Sequence, residues 1–238
     1  MKAIILAAGR GSRMGEGTAD IPKCLITLKG RTLLDWGLNS LKEAGFKHCD
    51  IGIVTGYKKE KINIKGVRYF HNDDWENTNM FVSLTRAREW LINEPCIVCY
   101  SDIVYSAEAI KRLVASKYDI GITYYTGFWE LWQNRFKNPL DDLETFKLCE
   151  GKLIEIGNKP VSRDEICGQY MGLLRFSPMG WEQVEDVIKL PMKKPVCKLD
   201  MTALLQHLLE LGIFVGTIAC DEPWLECDNM DDLKYYES

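Results

Sequence analysis

Short apolar runs bounded by glycine, proline and acidic residues punctuate the chain and set its elements. Ala3-Ile4-Ile5-Leu6 is a brief β-branched and leucine run ending at Gly9, which predicts a buried parallel strand over 3–6. A helix follows over 32–44, closed by Gly45, then a strand over 49–55 ending at Gly56 and another over 67–70. Residues 78–92 carry Met80, Phe81, Leu84, Ala87 and Leu91 at helical spacing, before an apolar strand over 96–100. A helix over 107–115 and a strand over 119–125 continue the alternation, which is βαβ logic and implies a mostly parallel sheet. The pattern then changes to a Trp-rich stretch and two antiparallel strands, 145–149 and 152–157, around the turn Glu150-Gly151. A strand over 168–176, helices over 179–188 and 200–211, a strand over 214–219 and a terminal helix over 229–236 complete the chain. No linker or repeat interrupts it. The expected fold class is α/β: one domain over 1–238, a Rossmann-like α/β/α sandwich with a mixed, mostly parallel central sheet and a small antiparallel insertion at about 126–165.

At 238 residues and 46% hydrophobic content, the chain can bury one large core. Its net charge of −4, with Lys and Arg dispersed, argues against a nucleic-acid partner. The first apolar run is too short for a signal-peptide core and no stretch approaches a membrane span, so a cytoplasmic protein with no membrane partner is expected. Nine cysteines without an export signal point to reduced thiols. Cys96-Ile-Val-Cys99 has metal-pair spacing, but in a strand residues three apart face opposite ways, so both are expected in the core. His48, His71 and His207 stand apart from one another, and zinc is not indicated.

Candidate chemistry concentrates where the first strand runs into Leu6-Ala7-Ala8-Gly9-Arg10-Gly11-Ser12-Arg13, with Pro22-Lys23 beyond. Glycines there let backbone N–H groups approach an anion, and Arg13 and Lys23 add fixed positive charge. Two glycines alone would equally serve a tight turn. The dinucleotide fingerprint fails, because Met14 stands where the third glycine belongs, and no Gly-Lys-Ser or Gly-Lys-Thr of a Walker loop occurs. The segment resembles the signature of nucleotidyltransferases that join sugar phosphates, phosphocholine or phosphonates to a nucleotide, L-A-A-G-x-G-S-R followed by P-K. Further matches extend the resemblance over essentially the whole chain.

That resemblance implies roles residue by residue. Arg13 and Lys23 are the catalytic pair that holds the triphosphate. Asp102, after the strand 96–100, and Asp228, before the terminal helix, jointly bind magnesium, as nucleotidyl transfer needs carboxylates to hold a divalent cation. Asp228 alone would equally serve as a helix N-cap. The nucleotide-binding set is Leu6, Ala7, Ala8, Gly9, Arg10, Gly11, Ser12, Thr55, Gly56, Tyr57, Asn79, Ser83 and Ser101. Sugar-specific relatives usually place a Gln and a Gly-Thr-Ala segment around the base. Asn77 to Leu84 departs from that pattern and points toward cytidine, although Asn79 could instead cap its helix.

For the acceptor, aromatics and acids in Trp129 to Glu144 suit a cationic amine. The candidate residues are Trp129, Trp132, Arg135, Asp141, Lys159 and Tyr170. The tryptophans would also suit a core cap beneath an insertion. Sugar-specific relatives carry Glu-Lys-Pro where this chain has Asn158-Lys159-Pro160, which argues against a hexose phosphate. Together with Gly168 to Leu174 and Asp200 to Leu205, this stretch is similar to the phosphocholine, phosphonate and phosphoglutamine cytidylyltransferases. The expected function is therefore transfer of CMP from CTP to a small phosphonate or phosphomonoester with release of pyrophosphate. A hexose-1-phosphate nucleotidylyltransferase and a non-catalytic nucleotide-binding regulator stand as alternatives, and a homodimer is compatible with the sequence.

Overall fold

The computed structural model describes all 238 residues. Seven strands form the central sheet: β1 (Lys2–Ala7), β2 (Ile51–Thr55), β3 (Arg68–His71), β4 (Cys96–Tyr100), β5 (Ile120–Tyr125), β6 (Gln169–Phe176) and β7 (Gly216–Cys220). Their spatial order is β7-β5-β6-β4-β1-β2-β3. Strand β6 runs antiparallel to β4 and β5, and every other pairing is parallel, so the sheet is mixed and mostly parallel as expected. β1 lies at the centre because its residues are apolar toward both faces: Ile4 and Leu6 join one core and Ala3 and Ile5 the other.

Those two cores, of 28 and 25 buried residues, cover both sheet faces. The Cys96/Cys99 pair shows the period of two directly, since Cys96 belongs to one core and Cys99 to the other. Burial pushes both thiols up to about 12, so neither is a thiolate near neutrality.

Three local departures from the sequence pattern matter for the site. The helix expected over 78–92 is broken into Met80–Thr85 and Arg88–Leu91. The Thr85 hydroxyl donates back to the Val82 carbonyl at 2.7 Å, a bond that competes with the helical ladder at the break. The Trp-rich stretch forms a helix, Phe128–Arg135, whose Phe128 and Trp132 are one turn apart and buried. Finally, Ile103–Val104 pairs antiparallel with Leu225–Glu226, and the Cys227 amide donates to the Asp102 carbonyl at 2.9 Å. This two-residue ribbon brings the two ends of the chain's acidic chemistry together.

Candidate active site

Residues at the carboxyl ends of β1 and β4 converge above the sheet, where an open α/β fold places ligands. After β1, Gly11 takes φ 72° in the left-handed region, and a Cβ there would lie 2.7 Å from the Lys23 Cβ. Glycine is therefore required for Lys23 to pass beneath the loop. The loop then winds through 3₁₀ turns over Ser12–Thr18, pinned by the buried Thr18 hydroxyl donating to the Gly11 carbonyl at 3.1 Å. It does not open an α-helix, so helix-dipole arguments have no purchase on it.

The Lys23 ammonium donates to Asp102 Oδ2 at 2.6 Å and to Asp228 Oδ1 at 2.9 Å. Arg13 Nη1 donates to the other Asp228 oxygen, Oδ2, at 2.8 Å. Burial alone would lower the Lys23 pKa, but Asp102 and then Asp228 outweigh it and hold the ammonium well above the usual lysine value. Burial likewise pulls the Asp228 carboxyl up, and Lys23 and Arg13 outweigh that and hold it below the ordinary aspartate value. Glu226, two residues earlier, has no cationic partner and is pushed well above the usual carboxylate range by burial, Asp228 and Asp102. The two carboxylates converge on the Lys23 ammonium, and the second Asp102 oxygen, Oδ1, accepts no hydrogen bond; hard oxygens of this kind are the donors a divalent cation takes.

Asp228 is not the N-cap of the terminal helix. Asn229 is, accepting from the Asp231 and Asp232 amides, while the Asp232 carboxylate accepts from the Asp228 and Asn229 amides in a capping box. Asp232 is in turn held by Arg135 at 2.8 Å, an ion pair with side chains only 3% and 6% exposed. Arg135 stands among Trp132, Phe136 and Tyr236, pairs through Nη2, and lines neither cavity described below. Its pairing with Asp232 anchors the segment that carries Asp228, whereas the sequence places it at the acceptor.

Two cavities that share Met80 lie beside the glycine loop and this cluster. One of about 130 Å³ is lined by Leu6, Ala8, Gly9, Trp75, Thr78, Asn79, Met80 and Ser83, which gathers five of the expected nucleotide residues into one wall. Trp75 was not anticipated, because it sits alone in a polar stretch; Gly56 packs on its Cβ and Tyr57 meets its ring edge-on at 5.1 Å. Met80 is shared with a larger cleft of about 300 Å³, whose walls include Arg13, Tyr100, Asp142, Glu144, Gln169, Tyr170, Asp200, Glu226 and Asp228.

Several expected contacts lie elsewhere. Thr55 is fully buried, its hydroxyl 2.6 Å from His71 Nδ1, so it supports the sheet and cannot touch a nucleotide. Tyr57 braces the phosphate loop, its hydroxyl donating to the Thr18 and Ala19 carbonyls, and Arg10 stacks on its ring. Asn79 spends its side chain capping Met80–Thr85 and reaching the Lys198 carbonyl. Ser101, like Ala7, Gly11 and Ser12, lines neither cavity.

Among the acceptor candidates only Tyr170 lines the cleft. Trp132 is 1% exposed, stacked between Trp224 and Phe136, and its indole donates to Asp142 Oδ2 at 2.9 Å. Trp129 lies under the Arg163 guanidinium at 4.8 Å, away from the cleft. Asp141 is bound by Asn138, and its neighbour Asp142 faces the cleft instead. Lys159 donates to the Leu140 and Asp141 carbonyls, tying down that turn. Replacing Trp132 by Ala is expected to cost about 3–5 kcal/mol of stability through cavity formation, read as a lower denaturant midpoint. An acceptor KM raised at unchanged stability would return Trp132 to the ligand.

The site's relatives agree with its geometry. A CTP:phosphoglutamine cytidylyltransferase of Campylobacter jejuni is 34% identical, covering 98% of each chain. A choline-phosphate cytidylyltransferase of Haemophilus influenzae is 32% identical over 99% of this chain and 95% of its own. In fold, the CTP:phosphocholine cytidylyltransferase of Streptococcus pneumoniae superposes with a TM-score of 0.73 at 21% identity, covering 99% of this chain and 97% of that one. The MobA-like NTP transferase domain matches residues 3–144, more than half of the chain. With the glycine loop, Lys23 and the paired aspartates at the sheet edge, these matches identify the chain as a nucleotidyltransferase that belongs to the MobA-like NTP transferase family.

Proposed function

We propose that the protein transfers CMP from CTP to a small amine-bearing phosphonate or phosphomonoester, of the 2-aminoethylphosphonate, phosphocholine or phosphoglutamine type, releasing pyrophosphate. The observation that carries this reading is the wall shared at Met80: a small pocket beside the glycine loop, part apolar and part polar, adjoins a cleft rich in carboxylates that reaches Asp228, whose partner Lys23 also holds Asp102. The pocket suits a pyrimidine ring and the cleft a cationic acceptor. The relatives named above support cytidine over uridine or thymidine.

No nucleophilic side chain is needed. An acceptor phosphate or phosphonate oxygen attacks the α-phosphorus, the bond to the β-phosphate oxygen breaks, and pyrophosphate leaves with that electron pair. Lys23 neutralises charge at the α-phosphate and Arg13 the outgoing phosphates, while the Gly9 to Ser12 backbone cradles the triphosphate. Enzymes of this family work with a divalent metal ion. Magnesium is the ion we assign, held by Asp102 and Asp228, where it would supply further charge neutralisation. Segment 126–165 contributes Asp142 and Glu144 to the acceptor side.

A pyrophosphate-release screen tests the reading. CTP is expected to support turnover with at least one of 2-aminoethylphosphonate, phosphocholine or phosphoglutamine. Turnover of UTP with glucose 1-phosphate, and none with CTP, overturns it. No helix is long and apolar enough to cross a membrane.

A further inference from the structure

The cleft next to the paired aspartates has an uneven charge distribution. Asp228 is matched by Lys23 and Arg13, and Asp200 by Lys194 at 2.9 Å while it caps the helix Met201–Glu210. Asp142 and Glu144 have no lysine or arginine partner. Arg13 is the only cationic residue in the cleft wall, at the end toward the phosphate loop. Beside the unpaired acids stands Tyr170, 8% exposed, whose hydroxyl has no hydrogen-bond partner. A buried hydroxyl left orphaned and a half-buried Glu144 left without a cation each cost free energy, which a ligand bearing positive charge and hydrogen-bond donors would recover; Asp142 is exposed, and with Oδ2 accepting from the Trp132 indole it keeps its other oxygen for such a ligand.

We propose that the acceptor presents a primary ammonium group to Asp142, Glu144 and Tyr170, and that this wall discriminates against a fully methylated ammonium. The inference rests on the cytidylyl-transfer reading and narrows its acceptor. A quaternary ammonium has no N–H and is held by aromatic faces. The tryptophans that could have made such a cage are committed elsewhere: Trp132 is stacked on both sides, and Trp129 lies under Arg163. The remaining aromatics, Tyr100 and Tyr170, meet edge to face at 5.8 Å and 89°, so they form a perpendicular pair and not the several converging faces of a cage. A primary ammonium carries three N–H donors, and the wall offers acceptor oxygens from two carboxylates and a phenol. The acceptor then lies with its anionic group toward Arg13 and Lys23 and its amine toward Glu144. Burial, reinforced by Asp200, holds the Glu144 carboxyl above its ordinary value, so an arriving cation also stabilises its ionised form.

The test compares two acceptors of equal length, 2-aminoethyl phosphate and its trimethylated analogue phosphocholine, by kcat/KM for CTP-dependent pyrophosphate release by the full chain. The primary amine is expected to be preferred by roughly 10-fold or more, the scale of a charge-assisted hydrogen bond. In Glu144→Gln, kcat/KM for the primary amine is expected to fall roughly 10- to 100-fold, through acceptor KM, with CTP KM and the unfolding midpoint little changed. Equal or better use of phosphocholine overturns the proposal and leaves cytidylyl transfer standing. So does an unchanged kcat/KM in Glu144→Gln. If neither amine reacts and glucose 1-phosphate does, the proposed function itself fails.

Discussion

Lys23→Met is expected to lower kcat by about 10²- to 10³-fold, the cost of removing one preorganised charge from a transfer site. The residue is placed for that role by the chain around it: Pro22 sets the turn, Gly11 leaves room for its stem, and two carboxylates fix its head. Because those carboxylates hold the ammonium well above the usual lysine value, it stays charged throughout the working pH range. Its loss should therefore depress turnover equally across neutral pH, with no shift of the profile. The same substitution leaves Asp102 and Asp228 facing each other with only Arg13 in compensation, on side chains 18–20% exposed. Folding stability should fall by about 1–2 kcal/mol, less than for a fully buried pair because of that exposure and of Arg13. A divalent cation that shares these oxygens would offset the repulsion, so added magnesium should raise the Tm of Lys23→Met more than that of the parent protein. A variant retaining a tenth or more of the parent kcat would take Lys23 out of the transfer step.

What the chain disclosed before its structure was known follows the range of the interactions involved. The strand over 96–100 and the helix over 107–115 coincide with the structure because their signals are local: an uninterrupted apolar run, and a Ser106 cap ahead of a periodic stripe. Asp102 was legible for the same reason, as an acid directly after a buried strand. Trp132 and Arg135 are placed at the acceptor by the sequence because an aromatic and charged helix has the composition of a ligand cage, although the tryptophans suit a core cap as well. The residues that settle the matter, Trp224 and Asp232, lie far downstream in the chain. The spacing of Phe128, Trp132 and Phe136 at one helical turn was the available signal for a packed helix. Glu226 escaped notice because the ribbon that delivers it is two residues long, too short for any periodicity to report. Asp142 and Glu144 show a related limit. The sequence placed acids in this stretch, but only the turn over Pro139–Asp141 decides that Asp142 faces the cleft and Asp141 does not.

Asp102→Asn should reduce magnesium-dependent kcat by about 10³-fold or more, since it removes a charged oxygen from the proposed cation site and a partner of Lys23 at once. It is the cleaner of the two aspartate substitutions. Asp102 holds the Leu225–Glu226 ribbon through its backbone carbonyl, which accepts from the Cys227 amide, and that bond survives a side-chain change. Asp228 also carries Arg13, so its loss would disturb the phosphate loop as well. The asparagine keeps the shape of the aspartate and can still accept from Lys23, so the unfolding midpoint should move little while cation binding suffers. Manganese binding, followed by electron paramagnetic resonance in the presence of CTP, should weaken at least about 10-fold, in proportion to the charge withdrawn from a two-carboxylate site. Binding of CTP without metal should change much less, because the pocket of Leu6, Ala8, Trp75 and Met80 is untouched. Unchanged manganese affinity together with lost turnover would mean that Asp102 serves only to orient Lys23, and the cation would then have to be sought on Asp228 and Glu226.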